Sequence, residues 1–157
     1  MAQSSPARTT SEEGLTTFVT FMVADHFFGV PVTNVQDILT PETIARVPLG
    51  PPEVRGLINL RGRIVTVIDM RVRLSLPAQR TVENPGKCVT VEREGEFYTL
   101  LVDGVGDVVT LEDDCREDNP ATLDPLWRDL ANGVFRAGDR LLVSLDVERL
   151  INIRVRA

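Results

Sequence analysis

Valine, isoleucine and threonine fill 42 of the 157 positions, and they come in short runs broken by glycine, proline or aspartate. Branching at Cβ restricts χ1 and suits a pleated, half-buried surface better than a helix, so the pattern commits the chain to many short strands. Runs of this character span 16–23, 27–30, 43–47, 63–68, 88–93, 97–102, 105–111 and 141–145. Ala24-Asp25-His26 and Glu94-Gly95-Glu96 are hairpin-sized links, so the strands they join run antiparallel. Eight or more strands in about 140 residues form a sandwich or small closed barrels, and closure also removes exposed strand edges. The expectation is an all-β fold with a few short helices, built as two fused small barrels.

Three kinds of segment depart from the period of two. Residues 31–39 carry apolar letters at 32, 35, 38 and 39 behind Pro31, which predicts one short helix. Asp69 and Asp146 open stretches with helical apolar spacing that reach Leu74 and Ile151, and aspartate is a good N-cap, so a turn or two of helix follows each. Pro125–Leu130 reads as another short helix that packs Trp127, the only tryptophan, against the core. Residues 1–14 hold almost nothing to bury and read as a disordered tail, which leaves a single domain over 15–155.

Seventeen basic against 23 acidic side chains give a net charge of −6, whereas a protein that neutralises phosphates carries a basic excess. The local exception is Arg55, Arg61, Arg63, Arg71 and Arg73, which supports an alternative reading as a nucleic-acid-binding small β-barrel. Such a barrel also needs aromatic side chains for base stacking, and residues 54–73 contain none. The N-terminus has no apolar signal region and no run of 18 apolar residues occurs, so membrane insertion is not expected and the reading is cytoplasmic.

Chemistry-bearing residues are scarce. His26 is the only histidine, and no G-x-S-x-G elbow accompanies it. Gly104-Val105-Gly106 lacks the third glycine and the following helix of a nucleotide cradle. Asp103 with Asp107, and Asp113 with Asp114, are the carboxylate pairs a small hydrolase would use, but aspartate at strand ends and turns more commonly accepts backbone N–H bonds. Cys88 and Cys115 have neither C-x-x-C spacing nor a nearby histidine, and the alternation around Cys88 makes it a buried small hydrophobe. No catalytic residue, metal or cofactor is expected.

The unusual segment is Val54 to Leu76, VRGLINLRGRIVTVIDMRVRLSL, where Gly56 and Gly62 bracket an apolar stretch holding one Asn and one Arg. Glycine in a strand context marks a bulge, a bend or a close backbone approach. This segment resembles the signature of the CheW family of chemotaxis coupling proteins, and Leu101 to Val108, LVDGVGDV, resembles its second signature. Val35-Gln36-Asp37-Ile38, Arg46-Val47-Pro48 and Leu141 to Asp146 fall in the same order, so the resemblance covers about 15–153. It implies two intertwined SH3-like five-stranded β-barrels without enzymatic activity. The implied role is a scaffold that links the cytoplasmic tips of chemoreceptors to the regulatory domain of a CheA-type histidine kinase.

Carried over by position, the resemblance puts the receptor-binding groove at Val35, Gly56, Cys88 and Val108. It puts an exposed kinase-binding apolar patch at Val19 and Val32, and an interface charge pair at Asp37 and Arg61. The chain has Asp37 where the family often has Glu, which shortens the reach of any ion pair, and Thr66 where the family often has Pro.

Overall fold

The structure is a computed structural model and describes residues 14–40, 44–45, 51–77, 86–118 and 123–153. Strands β1 (Leu15–Val23), β2 (His26–Pro31), β3 (Val35–Leu39), β4 (Val54–Leu60) and β5 (Arg63–Asp69) lead into helix α1 (Met70–Arg73). Strands β6 (Lys87–Arg93), β7 (Glu96–Val102), β8 (Gly104–Glu112) and β9 (Arg116–Glu117) follow, then helix α2 (Pro125–Leu130), strands β10 (Ala131–Ala137) and β11 (Arg140–Leu145), and helix α3 (Val147–Ile151). The fold is all-β with a few short helices.

The strands form two sheets, β8-β1-β2-β11-β10-β9 and β3-β6-β7-β5-β4. In the first, edge strand β8 runs through a single 3-10 turn directly into β9 at the opposite edge, which closes barrel 1. In the second, the chain leaves edge strand β3 and returns at Ala45 to exchange two backbone hydrogen bonds with Leu57 on edge strand β4, closing barrel 2. Barrel 1 thus has a sixth, two-residue strand where five strands were expected.

From edge to edge the two sheets repeat one order. β8, β1, β2, β11 and β10 correspond to β3, β6, β7, β5 and β4, and the only parallel contacts among the described residues, β2 with β11 and β7 with β5, fall at the same place. The chain is therefore two copies of one topological unit, β1 to α1 and β6 to α3. Each unit gives its opening hairpin to the other's barrel. Thr20 and Thr90, Phe27 and Phe97, and Asp37 and Asp107 are equivalent pairs 70 positions apart, whereas Gly56 and Gly133, Arg63 and Arg140, and Asp69 and Asp146 are 77 apart.

This exchange dictates the core. Phe21, Val23, Phe28 and Val30 of one hairpin meet Val89, Val91, Leu100 and Val102 of the other in one shared cluster, which Met70, Trp127 and Leu150 cap from the helices. Full burial of each large apolar side chain contributes roughly 1.5–3 kcal/mol, so most of the hydrophobic stabilisation lies between the barrels. Each barrel encloses only a small cluster of its own, Phe18, Phe135 and Leu142 in barrel 1, and Val67, Cys88 and Leu101 in barrel 2.

The three helices predicted after Asp69, after Asp124 and after Asp146 are present, each with its aspartate accepting a backbone N–H of the first turn. Trp127 packs on the core as expected, and its indole N–H donates to Leu74 O at 3.0 Å. The helix predicted over 31–39 is corrected. Only Val32–Asn34 form a 3-10 turn, and Val35–Leu39 is strand β3, paired with β6. A helix there would leave the edge of β6 unpaired, and its apolar stripe would turn Val32 and Ile38 inward, whereas both are exposed. Strands β4 and β10 went unpredicted because each opens with a bulge at its glycine. Of the strand expected at 43–47 only Ile44 and Ala45 are described; Arg46-Val47-Pro48 and residues 1–13 of the expected tail lie outside the described residues.

The chain passes from barrel 2 back to barrel 1 through one residue, Asp103, between β7 and β8. Its carboxylate takes Nε–H and NH2 of Arg71 at 3.0 and 2.6 Å, and the Ala24 amide of the β1–β2 turn at 2.7 Å. Arg71 also donates to Pro77 O at 2.6 Å, and the bond to Asp103 raises the guanidinium's pKa above its ordinary value. Replacing Asp103 by Ala leaves a partly buried cation unpaired and is expected to cost about 3 kcal/mol, with part of the loss recovered in the double variant Arg71→Met/Asp103→Leu. Urea midpoints of the three proteins check this, and an unmoved midpoint for Asp103→Ala would contradict it.

Closure itself rests on the paired glycines. Gly56 and Gly133 have φ of +156° and +123°. A Cβ on Gly56 would overlap the Ala45 carbonyl oxygen, while one on Gly133 would meet the Arg116 side chain. Backbone in a closing bridge cannot move aside, whereas an arginine can. Gly56→Ala is expected to cost about 3 kcal/mol and Gly133→Ala about 1 kcal/mol. Thermal and urea melts of both variants measure the difference, and equal losses would refute this account of the seam.

Candidate functional site

At the seam of barrel 2, Arg61 and Gly62 form the two-residue β4–β5 turn, both with positive φ. The Gly62 N–H donates to Asn59 Oδ1 at 2.8 Å and fixes the turn. From there the Arg61 guanidinium lies 2.5 Å from Asp37 Oδ2 on β3, the strand at the other edge of the sheet. Among the described residues no aligned hydrogen bond reaches Asp37 Oδ2, so this is a close charge contact that straddles the closure. Asp37 lies in a strand and not at the end of a helix as expected, but the two residues do meet. Arg61 is 74% exposed, so the pair contributes only ~0–1 kcal/mol to folding and leaves the guanidinium accessible.

Five large aliphatic side chains are exposed among the described residues: Val32, Ile38, Ile64, Val108 and Leu141. Four of them fall on equivalent positions of the two units. Ile38 follows Asp37 opposite Val89, and Val108 follows Asp107 opposite Val19. Ile64 and Leu141 are each the second residue after a hairpin turn, behind Arg63 and Arg140. Those arginines lie over equivalent rings, Arg63 over Phe97 at 4.5 Å and Arg140 over Phe27 at 4.6 Å. Each barrel therefore exposes aliphatic side chains at the same two positions, with a stacked arginine next in sequence to one of them. Val32 stands apart, on the 3-10 turn where the chain crosses from barrel 1 to barrel 2.

The residues expected to line a receptor groove are spread through this frame. Val108 is 58% exposed, and Val35 is half-buried and packs on the shared core. Cys88 is buried inside barrel 2 beside Val67 and Leu101, and Gly56 lies in the seam against Ala45. The expected exposed patch of Val19 and Val32 is corrected, because Val19 is only 2% exposed. Strand β1 is covered on both faces from Phe18 to Phe21, and Val19 sits directly opposite Val108. Ile64, Leu141 and the arginine–phenylalanine stacks were missed in the sequence; the signal that would have found them is the recurrence of Arg followed by Ile or Leu 77 positions on.

The arginine cluster is not a polyanion surface. Arg55 pairs with Asp69 at 3.4 Å, Arg61 with Asp37, and Arg71 with Asp103. Arg63 stacks on Phe97, and Arg73 donates to the carbonyls of Leu150 and Arg149 at 2.9 Å, where burial lowers its pKa. Each of the five guanidinium groups thus has a partner within the fold, and Arg61 stays exposed while paired. His26 packs edge-on against Trp127 at 4.8 Å. Asp103 holds the crossover, Asp107 accepts the Thr20 hydroxyl through its carbonyl, and Asp113 accepts the Thr16 hydroxyl at 2.6 Å. Among the described residues no group of His, Cys, Asp and Glu could hold a metal ion, and no helix is long and apolar enough to cross a membrane.

Comparison with known proteins follows the geometry. Over 136 residues the chain is 29% identical to the chemotaxis protein CheW of Klebsiella aerogenes, covering 86% of this chain and 81% of that one. It is 29% identical over 135 residues to the probable chemotaxis protein CheW of Rhizobium etli, covering 85% and 86%. The scaffolding protein TtCheW from Thermoanaerobacter tengcongensis has the same fold, with a TM-score of 0.78 at 24% identity over 88% of this chain and 93% of that one. A family model described as CheW-like domain matches residues 17–155, and on that match the chain belongs to the CheW-like family.

Proposed function

We propose that the chain is a non-catalytic chemotaxis scaffold that couples the cytoplasmic tips of chemoreceptors to the regulatory domain of a CheA-type histidine kinase. The observation that carries this reading is the family match over 17–155, together with relatives whose names are chemotaxis proteins. The geometry supports it in kind. A scaffold needs a rigid frame, exposed apolar contacts and a few charges that set register, and the closed barrels, the exposed aliphatics and the Asp37–Arg61 pair supply them. The reading puts the chain in the cytoplasm, held at membrane receptor arrays by protein contacts.

Within it, the receptor contact falls to Val108 and to the half-buried Val35, while Gly56 and Cys88 maintain the frame from within. The kinase contact falls to Val32, while the buried Val19 contributes only to the packing of β1. Arg61, lifted from Asp37, is the charge that meets a partner carboxylate.

The test is a reconstituted array of kinase, receptor fragment and this chain, read as kinase autophosphorylation. Val32→Asp is expected to weaken kinase binding by about tenfold or more and Val108→Asp to do the same for receptor binding, both with unchanged melting temperature because both side chains are exposed. Arg61→Ala is expected to lower kinase activation while leaving the melting temperature within about 2 °C of the parent, as for an exposed pair. Normal activation by all three variants, or no activation by the parent chain, would overturn the reading.

A further inference from the structure

The chain crosses between barrels at two equivalent places, and the two crossings are not held alike. Thr33 of the first crossing is equivalent to Asp103 of the second, 70 positions on, and Glu148 is equivalent to Arg71, 77 positions earlier. At the second crossing Asp103 takes both the Arg71 guanidinium and the Ala24 amide. At the first, the Thr33 hydroxyl makes no hydrogen bond among the described residues, and Glu148 accepts from Arg93 at 2.7 Å instead. The 3-10 turn over Val32–Asn34 has no side-chain cap and no buried residue. Its one side-chain tie among the described residues is Asn34 Nδ2, which donates to Glu92 O at 3.2 Å.

This loosely held turn is a hinge for one element. Among the described residues, hairpin β1–β2 joins the rest of the chain at this crossing alone. Its strand partners, β8 and β11, both belong to the other unit. A second copy of the chain offers the same two strands in the same register. A hairpin seated there recovers every strand pairing it makes within one molecule, so the two arrangements differ only in the hinge and in the cost of bringing two chains together. The slot in barrel 1 thus has one occupant whose fit is already on display, the hairpin of this same chain.

We propose that hairpin β1–β2 exchanges between two copies of this chain by straightening at Val32–Asn34, so that each barrel 1 is completed by the other copy's hairpin. Barrel 2 stays within one molecule, because the Asp103 clamp holds the second crossing closed. The proposal concerns this chain alone and is independent of the scaffold reading.

Two full-length chains test it, one with Thr17→Cys on β1 and one with Thr110→Cys on β8, both also Cys115→Ser. Thr17 and Thr110 stand opposite each other with hydroxyl oxygens 2.9 Å apart, so cysteines there are within bridging reach. The two chains are unfolded in urea, mixed, refolded together and oxidised with diamide. A disulfide joins them above background only when β1 of one lies against β8 of the other. The covalent dimer is expected to exceed that from chains refolded apart and then mixed, and to rise about tenfold for a tenfold increase in chain concentration. Deleting Thr33 shortens the hinge and should raise the yield about threefold or more. Should that variant fail to fold, Asn34→Ala, which removes the tie to Glu92, is expected to raise it in its place. A matching pair, Thr40→Cys and Lys87→Cys, reads barrel 2, where Lys87 Nζ lies 3.5 Å from Thr40 Oγ1, and is expected to stay at background. Cross-linking no greater after joint refolding overturns the proposal. So does equal cross-linking at the barrel 2 pair, which would mean that whole units exchange through 78–85, and so does a yield that the hinge variants leave unchanged.

Discussion

A single carboxylate holds the two halves of this molecule in register. Asp103 is the whole connection between β7 in one barrel and β8 in the other, and it is tied to a helix from the first unit and to the turn of the first hairpin. A one-residue crossover cannot absorb error by bending, so the direction in which β8 leaves is set by what grips its first backbone atoms. A bidentate arginine gives that grip a fixed plane as well as a fixed distance. The other crossover, through the 3-10 turn at Val32–Asn34, is longer and carries an exposed valine. One crossing is locked and the other is presented.

The same division runs through the barrels. Most of the buried hydrocarbon lies between them, and each closes around little of its own, so the seams matter more than the interiors. Closure at Ala45 and at β9 frees the outer strand faces to be used, since no long edge is left seeking a partner there. Ile64 and Leu141 sit on short hairpins with fixed turns, and an arginine laid over a phenylalanine has already given up much of its freedom before any partner arrives.

Much of this was readable from residue types. The β-branched runs marked most strands, the aspartates before α1, α2 and α3 marked the helix starts, and alternation placed Cys88 inside. What misled was the β-bulge. An extra residue between Val35 and Asp37 breaks the alternation, so that apolar letters at 32, 35, 38 and 39 imitate a helical stripe. The bulges at Gly56 and Gly133 hid β4 and β10 in the same way. Val19 was placed on the surface by the family resemblance and not by strand alternation, whereas β1 is covered on both faces there. The internal repeat stayed hidden because its identities are sparse.

The exchange of hairpins also governs how this chain can be made. Phe28 and Gly29 pair with Val143 and Ser144, more than one hundred residues later. On the ribosome the first hairpin emerges with Phe21, Phe28 and Val30 exposed and must wait for nearly the entire polypeptide before its neighbouring strand exists. A prefix that ends after β7 already holds every strand of barrel 2, whereas barrel 1 requires the final strand, β11. A nascent chain therefore carries the apolar face of its first hairpin until β11 is made, and a ribosome stalled before that point leaves barrel 1 open beside a barrel 2 that has all its strands.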